Sequence, residues 1–385
     1  MYLNREEERM LSGEMGEVIA KAINVIVKVG EALGAPRLIE VSHAHVSGVS
    51  YFNIGDFGLE FIEDLLASRA RFSVFTTANP YATLLGYRSR GFDSWVVDRQ
   101  LRVVNALRQM GVKSFTCTPY YVRKPSPGEH LAWAESSAVL YANSVLGAMT
   151  NRETGIVALL SGIIGKTYLG DAHRGIPHEV RYVVEIERPE DPSEAGAYGL
   201  LVAESLENSI PLVSGLKNCP ESYLKEFLAA FATISPTYLA VLHGITPGYR
   251  EVDTSRAERL VFSKSDILKL YSEAEACNSP LYLLGCPHLS FEELTDILGK
   301  IESVRRGELW LTVGDHYGWI ANIESKRNVK ISTGGCAVTT RLDLLGVDCV
   351  ITDSAKALTY LPKLAGVRAF LVRRSELLKM VTRAD

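Results

Sequence analysis

The 385-residue sequence has no C-x-x-C pair, no uncharged run of the roughly 18 residues that a membrane span needs, and no basic excess. Each absence excludes something. Without C-x-x-C, ferredoxin-like and zinc-ribbon spacings are ruled out. Without a long apolar run, no segment reads as a transmembrane helix. A net charge of −4 gives no global basic field, which argues against non-specific nucleic-acid binding. A small anionic substrate stays open, because local donors and helix N-termini can hold one. Glu6, Glu7, Glu8, Arg9, Glu14, Glu17, Lys21 and Lys28 punctuate the N-terminal segment, so it reads as an amphipathic helix and not a signal peptide. A cytoplasmic protein is expected. Its six cysteines should be reduced, ligating metal or buried, and not paired as disulfides.

Internal repeats and low-complexity tracts are also missing, so domain boundaries are weakly marked. The chain is long for one core, and two or more intimately packed lobes are expected. The polar stretch Arg188–Ala197 predicts a surface connection, with a lobe boundary near 190–200. An apolar content of 47% and a charged content of 22% are ordinary for a soluble globular protein.

What is present is alternation. An N-terminal helix is predicted over Arg5–Leu33. Strand-like runs at Leu38–Val41, Ser73–Thr76, Ser114–Cys117, Leu281–Leu284, Leu309–Val313, Val347–Thr352 and Ala369–Val372 then interleave with helical ones. The helical runs are Gly58–Ala67, Asp98–Met110, Ser290–Ile301, Tyr317–Glu324, Ser354–Leu361 and Ser375–Val381. Such order predicts an α/β fold of mostly parallel sheets flanked by helices. Ser290 with Glu293 forms a capping box, and Pro220-Glu221-Ser222 opens a further helix through Phe231.

Cys117, Cys286 and Cys336 each follow an apolar β-like run, where it breaks into a small-residue loop. In open α/β folds the carboxyl ends of strands converge on one crevice, so these distant thiols could meet and hold an iron–sulfur cluster. Three buried core thiols are the plainer alternative. Cys219, Cys277 and Cys349 read as buried.

Four further segments carry polar groups at element ends. His43–Tyr51 holds two histidines, read as hydrogen-bonding support, and a Gly48–Ser50 loop whose N–H groups could cradle an anion. Asn79-Pro80 ends a β run, as a turn or as a carboxylate-holding amide. Ala132–Val139 reads as an apolar helix interrupted by Glu135 and Ser136; beyond it, Arg152 could pair with a carboxylate or phosphate or cap a helix. Lys356 falls in the first turn after the Ser354 cap, where the helix dipole disfavours a cation; an anionic partner or a solvated lysine would each account for it.

Together, Ser47–Ser50, Ala78-Asn79-Pro80, Cys117–Tyr120, Ala132–Arg152, Gly285–His288, Gly334–Cys336 and Thr352–Lys356 resemble the aconitase X family, in order and across nearly the whole chain. The resemblance implies an aconitase-like fold and a hydro-lyase. The branch implied is a large subunit that dehydrates (R)-5-phosphomevalonate to trans-anhydromevalonate 5-phosphate. It also implies that Cys117, Cys286 and Cys336 hold a 4Fe-4S cluster, with 2Fe-2S or a single iron as alternatives. Gly48, Val49, Ser50, Asn79, Pro80, Glu135, Ser136 and Lys356 would line the substrate pocket. Fused relatives carry a small swivelling domain with a catalytic serine; this chain stops at Asp385, which implies that a separate small subunit supplies domain and base in a heterodimer. A hydroxyproline dehydratase subunit, or a non-catalytic iron-binding scaffold, is the alternative function.

Overall fold

Strands of β-branched and aliphatic residues, fully buried along their length, pair in parallel when helices cover both faces. A computed structural model, which describes residues 1–82, 91–271, 277, 280–305, 307–318 and 329–382, shows three such parallel sheets, buried along their inner strands and more exposed at edge strands such as Glu258–Phe262. The first sheet runs Phe75–Ala78, His43–Val46, His130–Trp133, Met149–Arg152, all parallel. The second runs Val241–Leu242, Pro211–Ser214, Tyr182–Ile186, Glu258–Phe262. The third has five strands in the order Val329–Thr333, Glu308–Val313, Pro280–Leu284, Cys349–Thr352, Arg368–Leu371. An α/β fold of mainly parallel sheets is therefore what the alternating pattern encodes.

The lobes share a core. Leu131 and Trp133 from the first, Tyr198 and Phe227 from the second, and Ala355 and Leu371 from the third belong to one buried apolar cluster. Its spine is the helix pair Pro192–Ser205 and Glu221–Ile234, which approach so closely that a Cβ on Gly199 would lie 2.1 Å from the Phe227 carbonyl oxygen. No helix among the described residues is long and apolar enough to cross a membrane.

Several sequence expectations need correction. The N-terminal helix is two helices, Arg5–Leu11 and Glu17–Ala32, because Gly13 and Gly16 adopt positive φ between them. Arg188–Ala197 is not wholly a surface connection: Pro192 starts a helix, and the residues from Pro192 to Ala203 are buried. Ser114–Cys117 forms only an isolated bridge, Ala78 to Phe115. The helix expected over Tyr317–Glu324 lies outside the described residues beyond Gly318.

Cys277 and Cys349 form a disulfide, with Cα atoms 6.0 Å apart, against the expectation that all six thiols would be free. Strand register explains it. Pro280 pairs with Cys349, so the start of this strand lies beside Cys349, and Cys277 shortly before it comes within the separation disulfides span. Cys117, Cys219, Cys286 and Cys336 remain free.

Arg152 settles as a cap, but of a distant helix. Its guanidinium donates to the carbonyls of Ala232 (2.9 Å) and Ser235 (2.5 Å) at the end of Glu221–Ile234. A partly buried cation on orphan carbonyls stabilises a helix end by about 1–2 kcal/mol. Arg152→Ala should lower the urea midpoint accordingly, and Arg152→Lys should recover part of it.

Candidate active site

Three sheet ends supply one cavity. Phe115 bridges Ala78, and two residues on the chain turns inward at Cys117. The strand Pro280–Leu284 delivers Cys286 after Gly285, whose φ of 108° and 2.5 Å approach to the Thr312 carbonyl admit no side chain. The two-residue strand Gly335–Cys336 pairs with Tyr81–Ala82 and so sets Cys336 beside the Asn79-Pro80 turn. Lys356 lies in the first turn of Ala355–Tyr360, whose cap Ser354 accepts from the Ala357 N–H and donates to the Cys286 carbonyl.

The strand His130–Trp133 is followed by Glu135 as N-cap of the helix Ser136–Tyr141. This corrects the single helix expected over Ala132–Val139. A fully buried inner strand and a buried helix look alike in an apolar run.

Asn79, Pro80, Cys117, Glu135, Ser136, Cys286, Cys336 and Lys356 all line one cavity of about 180 Å³. Gly48, Val49 and Ser50 do not. They sit behind its wall, where Ser50 Oγ donates to the Thr339 carbonyl (3.2 Å), and Thr339 itself lines the cavity. Pro287, His288, Thr312, Tyr360 and Leu364 are among the further lining residues and were not singled out as site residues from the sequence.

The negative partner of Lys356 belongs to this chain. Its ammonium donates to Glu135 Oε1 (2.5 Å) and Ser137 Oγ (3.2 Å), so it is neither solvated nor unpaired. Burial pushes the Glu135 carboxyl up, but the Lys356 charge, with Ser137 and Asn79 as donors, outweighs it and holds the group down at about 2. Burial alone would depress Lys356; Glu135 and the nearby thiols instead raise it well above the ordinary lysine range. The pair is therefore ionised. Asn79 Nδ2 also donates to Glu135 Oε2 (3.0 Å), and behind it His45 Nε2 meets Asn79 Oδ1 (2.8 Å).

His288 braces all three cysteine loops. Its backbone N–H donates to Cys117 Sγ (3.2 Å), its Nε2 meets the Gly335 carbonyl (2.9 Å) and its Nδ1 meets Thr116 Oγ1 (3.2 Å). Burial pushes the ring down to about 3, so it stays neutral: Nε2–H donates to Gly335 and Nδ1 accepts from Thr116.

The donor set fits a thiophilic metal group. Burial raises the Cys117 thiol to about 12, with Glu135 adding to the effect, and raises Cys286 and Cys336 as well. Lys356 is a cation acting on all three in the opposite sense. Three thiolates here would need further positive charge, which metal ligation supplies. Among the described residues no three His, Cys, Asp or Glu side chains are grouped as ligands of a single metal ion.

Sequence profiles now place the chain. Those described as aconitase X first, second and third domains match residues 1–174, 179–272 and 280–383. The chain belongs to the aconitase X family. It is similar to the phosphomevalonate dehydratase large subunit of Methanocaldococcus jannaschii, at 36% identity over 98% of this chain and 100% of that one. It superposes on the holo-form crystal structure of Thermococcus kodakaraensis aconitase X with a TM-score of 0.89 and 32% identity, covering 99% and 100% of the two chains. The cis-3-hydroxy-L-proline dehydratase of Pseudomonas aeruginosa is more distant, at 28% identity over 94% of this chain and 67% of its own length. These dehydratases are hydro-lyases, and an aconitase X chain with this cavity stands among them.

Proposed function

We propose that the chain is the large subunit of a hydro-lyase that dehydrates (R)-5-phosphomevalonate to trans-anhydromevalonate 5-phosphate in the cytoplasm. Its partner in the heterodimer would be a small swivel-domain subunit. The observation that carries this reading is the convergence of three distant thiols with Lys356, Glu135 and Asn79 on one cavity. The names of the archaeal relatives support the substrate, and their description as large subunits supports the partner.

Cys117, Cys286 and Cys336 would hold a 4Fe-4S cluster. In such a cluster each of the three sulfurs would stand on a separate iron, which three thiols carried by separate loops can supply. When bound, the cluster supplies Lewis acidity for a departing hydroxyl.

The chain's own residues do the rest. Lys356 has three N–H groups and gives two to Glu135 and Ser137, leaving one for a substrate oxyanion. Ionised Glu135 keeps Lys356 charged and is itself committed to Lys356, Ser137 and Asn79. It is therefore poorly placed to abstract a proton, and the base is assigned to a serine of the small subunit. Pro80, Leu283, Tyr360 and Leu364 make the wall largely apolar, which excludes water and strengthens each charge interaction inside. The Gly48–Ser50 loop supports this wall through Thr339.

The test is to co-express the chain with the small subunit anaerobically and supply (R)-5-phosphomevalonate and, separately, cis-3-hydroxy-L-proline. Loss of water from the first alone is expected. Turnover of the second alone would move the chain to the hydroxyproline branch, and binding of neither would favour an iron-holding scaffold. Cys286→Ser should lose iron and at least about 100-fold in turnover, since Lewis-acid assistance is worth several kcal/mol. Full activity with unchanged iron would sink the scheme.

A further inference from the structure

Behind Asn79 runs a chain of wholly buried polar side chains. His43 and His45 sit two apart on the strand His43–Val46, so both rings point to the same face. In the parallel register His45 pairs with Thr77, and the Thr77 hydroxyl lies 2.9 Å from His43 Nε2 and 2.7 Å from His45 Nδ1. His45 Nε2 then reaches Asn79 Oδ1, and Asn79 Nδ2 reaches Glu135. All four of His43, His45, Thr77 and Glu135 are buried.

The direction of every bond follows from one end. Ionised Glu135 is an acceptor only, so Asn79 must turn its NH₂ toward it. Asn79 Oδ1 then faces His45 and can only accept, which puts the His45 proton on Nε2. Burial holds the His45 ring down at about 4, so it is neutral with a lone pair on Nδ1, and Thr77 donates to it. The Thr77 oxygen in turn accepts from His43, whose proton is also on Nε2. No other set of tautomers satisfies the chain. It also accounts for His43 Nδ1, which has no partner among the described residues: it is the bare lone pair at the far end of the series.

We propose that His45, braced by Thr77 and His43, is a positioning residue that locks the Asn79 amide so that Asn79 meets substrate as an N–H donor. This rests on the reading of the cavity as a substrate pocket. Asn79 Oδ1 is taken by His45 and one N–H by Glu135, so the second N–H is what Asn79 can offer. With the remaining Lys356 N–H, the cavity presents donors side by side and selects an oxyanion, such as a carboxylate, over an amide or alcohol.

The test has two parts. Neutron diffraction from deuterated crystals of the assembled complex should place deuterium on Nε2 of both His43 and His45, and on Asn79 Nδ2 facing Glu135. Thr77→Val removes the shared hydroxyl at nearly constant shape. It should raise KM for (R)-5-phosphomevalonate about tenfold, the size of one ordinary hydrogen bond, with kcat within about twofold, and Thr77→Ser should restore KM. Deuterium on His45 Nδ1, or an unchanged KM in Thr77→Val, overturns the proposal. Should Thr77→Val not assemble, the wild-type deuterium positions decide alone. A complex that shows the expected deuterium but dehydrates only hydroxyproline refutes the substrate assignment and leaves the relay standing, with KM then read on that substrate.

Discussion

Lys356→Met should cut turnover of the assembled enzyme by at least about 100-fold and lower its stability by roughly 3–5 kcal/mol. The two effects share a cause. Lys356 is the cation whose ammonium contacts Glu135, and its removal strands a buried carboxylate beside three sulfurs. The stability arm has a pH signature. Glu135 is held at about 2, below the ordinary carboxylate value of 4.5, so the unfolded chain binds its proton first as pH falls. Its contribution is complete above about 4.5 and is lost as pH drops toward 2. In Lys356→Met, burial is opposed only by the Ser137 and Asn79 hydrogen bonds and raises the carboxyl, which removes or reverses that contribution. Urea midpoints of wild type and variant should therefore differ most near pH 7 and converge below pH 4.5. Glu293, also held at about 2 but by Lys225 and Arg374, titrates in both proteins and cancels in the comparison. A gap that is constant with pH would show that the pair does not act as described.

His288→Ala should weaken iron retention by 10- to 100-fold while leaving the fold intact. The backbone bond to Cys117 survives the change, but Gly335 loses its donor and Thr116 its acceptor, so the three loops are no longer referenced to one ring. Iron and sulfide per complex after dialysis against a chelator are the readout, with circular dichroism as the control for folding. Retention equal to wild type would show that each loop holds its cysteine without the brace. His288→Asn should lie between the two, because an amide can replace one of the two lost bonds.

Much of this site was legible because strand ends announce themselves. Apolar runs giving way to Thr-Pro, Pro-His or Gly-Gly marked the three cysteines, and the resemblance supplied the residues around them. The Ser290–Glu293 capping box is present as predicted, with Ser290 Oγ accepting from the Glu293 N–H at 3.1 Å. What the sequence could not show depends on register and long-range contact. Thr77 matters only because it lies beside His45 on a neighbouring parallel strand, and nothing in Thr76-Thr77 alone signals that. Lys356 and Glu135 are 221 residues apart, so the anion sought for Lys356 could not be recognised as internal. His288 was visible only as a loop former after Pro287. Its role needs three segments brought together. The Cys277–Cys349 link and the Arg152 cap were hidden for the same reason: each joins positions that only the folded sheets make adjacent.

The split origin of the thiols bears on when the proposed metal group could be loaded. Cys117 belongs to the first region, while Cys336 and Cys286 belong to the third and reach the first through the Gly335–Tyr81 pairing and the His288 N–H bond to Cys117 respectively. A nascent chain on the ribosome therefore exposes Cys117 long before its two companions exist, and no product that stops short of Cys336 owns all three thiols. If these thiols hold the proposed metal group, its assembly must wait until Cys336 has been made, which spares shorter chains the premature capture of a reactive metal.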